Sequence, residues 1–289
     1  MFILNDNGRF ISILSDYGFK VTFGNEADTT FLKKALEALI CSPSPIKKVS
    51  FIKNEISAIT IDSRSGIYDI ACIDESGNHF IVEMQLSEYP EFIQRMKFYA
   101  LHRFNTLVKK GAYRFDNLQK IYCIGILSQN IFPEIEDYHN IAVLRNKNNE
   151  IIDDQLTFVT LELAKFNKQL SNIQTNLDKL IYTMKNVHTI TETSQFPSFW
   201  TEEWLHKAIN EIDLRAFTPE QKLMYEMAIS ANALAIKNEN KKILLVKRES
   251  IQKALKRGKL TLDEIAEDYS VSIDFVIEIQ NEINNTENS

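Results

Sequence analysis

A chain of 289 residues, 44% hydrophobic and 25% charged, is long enough to bury a core without disulfide or metal staples. Its net charge of −6 excludes a polycation that coats nucleic acid over its whole surface and leaves only a local basic patch for that purpose. No apolar run approaches the ~20 residues needed to span a bilayer, which speaks against a membrane partner.

The opening residues Met1 to Asp6 carry neither a basic region nor a long apolar stretch, so no signal peptide is expected. Cys41, Cys72 and Cys123 stand far apart with no Cys/His cluster around them. They read as free thiols of a reducing, cytoplasmic environment. Residues 1–28 read as a loop-like lead-in with aromatic anchors. Thr29 and Thr30 then offer N-caps for a helix to about Ile40. Its apolar stripe is Phe31, Leu32, Ala35, Leu36 and Leu39, and Ser42-Pro43-Ser44-Pro45 ends it.

A strand-rich stretch follows. Val49 to Ile61 reads as one or two strands, Ile67 to Asp74 as a clearer one, and His79 to Gln85 as another across the turn Glu75-Ser76-Gly77-Asn78. Pro90 opens a helix running to Lys109-Lys110 with Gly111 as its C-cap. Lys120 to Leu127 and Leu156 to Leu163 are two further strands. Helices mixed with strands predict an α/β sheet with helices on it. From about Lys165 the character turns helical: Asn167 to Lys185, Glu202 to Glu211, and a long helix from Thr218 to Arg257. Thr218-Pro219-Glu220-Gln221 is a capping box with proline at the first helical position, and Gly258 ends the helix. Residues 188–201 read as a linker or surface loop. The domain division expected is 1–165 and 166–289.

Chemistry concentrates in the hairpin. Asp69 lies in the apolar, β-prone run Gly66 to Cys72, where a carboxylate must be neutralised, paired or metal-bound. Glu83 and Gln85 are two residues apart and therefore share a strand face. A symmetric even turn over 75–78 would pair Asp69 with Met84 and place it on the wrong face. A three-residue loop Glu75-Ser76-Gly77, with Gly77 left-handed, would instead set Asp69 opposite Glu83. Two converging carboxylates make a hard oxygen site suited to magnesium or manganese. A lone Asp in a strand is ordinarily a satisfied structural residue, so the reading rests on the set.

The set resembles the PD-(D/E)xK nuclease superfamily, in its recombination-promoting nuclease and transposase branch, over most of residues 10–165. The matching pieces are Asp16-Tyr17-Gly18-Phe19-Lys20, Phe23-Gly24, Tyr68-Asp69-Ile70, Val82-Glu83-Met84-Gln85, and then Gln94-Arg95 with Tyr99-Ala100. The resemblance implies a restriction-endonuclease-like mixed sheet flanked by helices, followed by an all-helical C-terminal region. It implies metal-dependent DNA cleavage linked to recombination or mobile elements. Asp69, Glu83 and the Met84 backbone carbonyl would hold magnesium or manganese, and Gln85 would orient the attacking water or a phosphate oxygen. Lys20, Gln94, Arg95 and Lys97 are candidates for phosphate or DNA contact. Gln85 replaces the superfamily's lysine, and an amide carries no positive charge. A catalytically weak or inactive nuclease-fold module that binds DNA or a protein therefore stays open as the alternative. A homodimer also stays open, because double-strand cleavage needs two sites.

Residues 237–259 hold nine Lys or Arg and two Glu, either a DNA-backbone stripe or a solvated helix face. Residues 260–289 hold eight acids and no Lys or Arg. Leu262 to Glu267 and Ser272 to Val276 resemble the two short helices of a helix-turn-helix. The second offers Asp274, Glu278 and Gln280, a poor set for reading bases, so packing or protein contact is the expectation. The tail Glu282 to Ser289 is expected to be disordered.

Overall fold

The computed structural model describes residues 8–56, 66–86, 91–108 and 118–287. Expectations for 57–61, for Pro90 as helix opener and for Lys109 to Gly111 as helix end lie outside the described residues. The chain divides into two compact units, Met1–Lys222 and Leu223–Ser289.

In the first unit the segment expected to be a loop-like lead-in contains a helix, α1 (Asp16–Phe23). The signal is short-range: the Ser15 hydroxyl accepts the Gly18 N–H at 2.9 Å, and Asp16 pairs with Lys20 one turn on. Gly18 is required there, since a Cβ would stand 2.1 Å from the Ser12 carbonyl oxygen. Helix α2 (Thr30–Leu39) buries the expected stripe of Phe31, Leu32, Ala35, Leu36 and Leu39.

The sheet strands are β1 (Val49–Phe51), β4 (Ile70–Asp74), β5 (His79–Gln85), β6 (Ile121–Leu127), β7 (His139–Arg145) and β8 (Ile151–Glu162). A separate two-stranded ladder pairs β2 (Glu55–Ile56) with β3 (Gly66–Ile67). The six-stranded order is β1-β4-β5-β6-β8-β7. β5, β6 and β8 run parallel, while β1, β4 and β7 are antiparallel to their neighbours. This is the mixed sheet expected. β7 is absent from the sequence expectation because its exposed residues at the sheet margin lack an apolar alternation, and β8 begins earlier than Leu156 for the same reason.

The β4–β5 hairpin has the odd loop that sets Asp69 and Glu83 on one face. Ile70 pairs with Val82 and Ile73 with His79, so Asp69 falls level with Glu83. The Asp74 N–H donates to the Asn78 carbonyl at 3.0 Å, which leaves Glu75, Ser76 and Gly77 as the loop, with Gly77 at φ +83°. The Asp74 carboxylate accepts the Ser76 and Asn78 N–H groups and fixes the turn.

One sheet face carries Ala71, Ile81, Ile121, Cys123 and Leu127 and packs against Phe92, Met96, Tyr99 and Ala100 of α3 (Phe92–Leu107). The other face, including Cys72, Phe80, Val82, Ile124, Ile126, Val159 and Leu161, is equally buried. Gly125 lets α3 sit down on the sheet: a Cβ there would meet the Phe92 ring at 2.6 Å. We therefore expect Gly125→Val to destabilise the protein by about 2–4 kcal/mol through overpacking, read as a fall in the denaturation midpoint at unchanged slope.

Residues 166–222, expected within a C-terminal region, pack into the first unit. α4 (Asn176–Asn186) and α5 (Glu203–Glu211) lie against α2. Asp213 pairs with Arg9 at 2.9 Å, and the Ile11 N–H donates to the Ile212 carbonyl. The segment 188–201 is no loose linker. Its Trp200 is completely buried and donates its indole N–H to the Thr183 hydroxyl at 2.7 Å. A run rich in Ser and Thr hides that anchor, because one large aromatic carries no periodicity.

Helix α6 (Pro219–Arg257) starts on the expected box, with Thr218 and Gln221 exchanging hydrogen bonds, and ends at Gly258 with φ +62°. In the second unit, Ile251 and Ala254 of α6 pack with Ile265 and Ala266 of α7 (Leu262–Asp268) and with Val276 and Ile279 of α8 (Ile273–Glu287). The helix-turn-helix-like pieces thus close a small core. The tail expected to be disordered continues α8 to Glu287, with Glu282 paired to Arg248 of α6. That basic partner, distant in sequence, is what the acidic composition conceals. Among the described residues no helix is long and apolar enough to cross a membrane.

Candidate active site

β4 ends where β5 continues, and the site lies at that step. Asp69 precedes the first residue of β4, and its carboxylate accepts the Met84 N–H at 2.9 Å. In return the Asp69 N–H donates to the Glu83 carboxylate at 3.3 Å. These crossed bonds hold the two acids side by side on the α3 face of the sheet. The N–H and carbonyl of one strand residue project to the same side. The Met84 carbonyl therefore points toward Asp69 as well.

The pair is buried. Glu83 is 4% exposed, and burial, followed by the adjacent Asp69, pushes its carboxyl up to about 8, with Arg95 pulling the other way. Burial also raises Asp69, opposed by the Met84 N–H and by the charges of Lys20 and Arg95. Asp16 adds to the rise of Asp69. In isolation, two such carboxylates cannot both ionise without cost.

Arg95 answers that charge from α3. Its guanidinium donates to Glu83 at 3.2 Å and to the Gln85 side-chain oxygen at 3.0 Å. It lies over the rings of Phe92 and Tyr99, one turn away on either side. Since the guanidinium has only donors, Gln85 must present its oxygen to it, which turns the amide NH2 to the other side. α3 is fixed further along by Arg103, which donates to His79 Nδ1 at 3.1 Å. Burial and the nearby Arg103 charge lower His79 to about 4, so the imidazole is neutral and able to accept.

The structure thus brings Asp69, Glu83, Met84, Gln85 and Arg95 together. Lys20 pairs with Asp16 at 2.9 Å and lines, with Asn54 and Asp69, a cleft of about 280 Å³. Gln94 and Lys97 lie exposed on the outer side of α3. Asn54, which also binds the Tyr68 backbone at 2.9 Å, gives no sequence signal as part of that cleft. Nor does Gly125, level with Glu83 on the next strand, which makes room for the first turn of α3.

Residues 13–238 match the model of the PD-(D/E)XK nuclease family transposases. The chain belongs to that family. No curated protein and no solved structure matches the chain. The family's divalent-metal chemistry can be tested against the residues at the site. The oxygens the site could offer are two carboxylates and one backbone carbonyl, all hard donors. Among the described residues no group of three or more His, Cys, Asp or Glu is gathered. A small donor set of this kind suits magnesium or manganese, which keep several waters and take further oxygens from phosphate. Burial and the neighbouring Asp69 disfavour ionisation of Glu83, a cost that a divalent cation would offset, so residues and metal fit.

Proposed function

We propose that this member of the nuclease family is a magnesium-dependent DNA endonuclease that hydrolyses phosphodiester bonds in a recombination or mobile-element setting, in the cytoplasm. Manganese would serve in place of magnesium. The observation that carries the reading is the crossed hydrogen bonding of Asp69 and Glu83, which sets a half-buried and a buried carboxylate on one face, with Asp69 lining an open cleft.

Asp69, Glu83 and the Met84 carbonyl would hold the metal. Once bound, a divalent cation lowers the pKa of a coordinated water and offsets charge on the phosphodiester. Gln85, whose oxygen accepts from Arg95, would orient the attacking water or a phosphate oxygen through its amide. It cannot take up a proton. The Arg95 guanidinium supplies at Gln85 the positive charge that an amide lacks. Lys20, which lines the cleft, would meet the DNA backbone, a contact that weakens with salt.

Nicking of supercoiled plasmid tests the reading. Wild-type protein is expected to nick with magnesium or manganese and not with EDTA, and Asp69→Ala is expected to lose at least ~10²-fold of the rate. Absence of metal-dependent nicking over a range of metals and DNA forms would favour the binding module, which the missing lysine also suits.

A further inference from the structure

The Arg95 bridge has two unequal halves. At Glu83 it opposes a carboxylate that a metal would need, at a rather long 3.2 Å. At Gln85 it holds a neutral oxygen at 3.0 Å, which a cation at the carboxylates leaves in place. The guanidinium is also gripped by the Phe92 and Tyr99 rings independently of Glu83. Arg95 can therefore let go of Glu83 without losing its seat. Two positive charges on one buried carboxylate repel strongly, because little water screens them.

We infer that Arg95 is the site's built-in competitor cation: it occupies the Glu83 carboxyl in the metal-free protein and competes there with the divalent cation. This rests on the reading of Asp69 and Glu83 as metal-holding residues. It makes Arg95 a positioning residue with opposite effects on two measurable quantities. It supports the folded metal-free site, and it weakens metal binding. When the cation arrives, Arg95 is left on Gln85 with its charge turned toward incoming phosphate.

The test uses the full chain without DNA, titrated with manganese and followed by calorimetry or electron paramagnetic resonance. Arg95→Met should bind manganese about tenfold more tightly than wild type, since one repelling charge is gone. Arg95→Lys, which keeps the charge, should stay close to wild type. In EDTA, Arg95→Met should melt at a lower temperature, and saturating manganese should close that gap. If Arg95→Met does not fold in EDTA, rescue of its folding by manganese supports the proposal and lack of rescue overturns it. Equal or weaker manganese binding by Arg95→Met, with binding abolished in Asp69→Asn, overturns the proposal and leaves the metal reading standing. No manganese binding by wild type or by Arg95→Met overturns both.

Discussion

Glu83→Gln is expected to abolish metal-dependent nicking while removing a pH-dependent weakness of the metal-free fold. The loss of activity follows from charge. An amide oxygen is a poor substitute for a buried carboxylate ligand, and we expect the rate to fall by at least ~10³-fold. The stability effect follows from linkage. The Glu83 carboxyl is raised from its ordinary value to about 8 in the folded protein, because burial and Asp69 disfavour its ionised form. The folded state then binds a proton that the unfolded state has already released. Its contribution to stability is complete below pH ~4.5, the unfolded value, and is lost as pH rises through about 8.

Between pH 5 and 9 the wild type should therefore lose, relative to Glu83→Gln, on the order of a few kcal/mol in EDTA. Chemical denaturation of both proteins across that range measures it. Saturating magnesium should erase the difference in slope, since a bound cation favours the ionised carboxylate. A parallel pH dependence for the two proteins would show that Glu83 is not the titrating group.

Gln85→Lys, which writes the superfamily's lysine back into the strand, is expected to harm this protein rather than improve it. The side chain at 85 ends where the Arg95 guanidinium donates, 3.0 Å from the amide oxygen. A lysine there removes an acceptor and sets an ammonium against a guanidinium in a half-buried site. We expect a loss of about 1–3 kcal/mol and no gain in nicking. In the double variant Gln85→Lys with Arg95→Met, the lysine inherits Glu83 as partner. Stability and nicking should then both recover beyond the sum of the single changes. A double-mutant cycle reads that coupling directly, and additivity would mean that the two positions do not share one charge.

Much of the site is legible in the amino-acid sequence because its logic is local. Strand parity limits the hairpin to a few registers, and the one with a three-residue loop and Gly77 at positive φ, which sets Asp69 opposite Glu83, is the one that forms. The α2 stripe and the Thr218 capping box are equally legible, since both depend on spacing within a single turn or helix. The family resemblance is legible in short pieces running from Asp16-Tyr17-Gly18 to Tyr99-Ala100, and residues 13–238 match the family model.

Other features depend on residues that meet only in three dimensions. Gln94, Arg95 and Lys97 are alike in sequence, polar residues on the first turns of α3. Only docking of Phe92 over Gly125 turns Arg95 into the sheet and leaves its neighbours outside. The burial of Trp200 and the pairing of Arg248 with Glu282 are hidden for the same reason, each partner lying far along the chain. The sequence by itself determined that Glu83 and Gln85 share a face and that an odd hairpin loop would bring Asp69 onto it, because a strand alternates every residue and a hairpin loop sets the parity. Only the tertiary structure decided which cation faces them, because that depends on how closely a helix can approach a sheet.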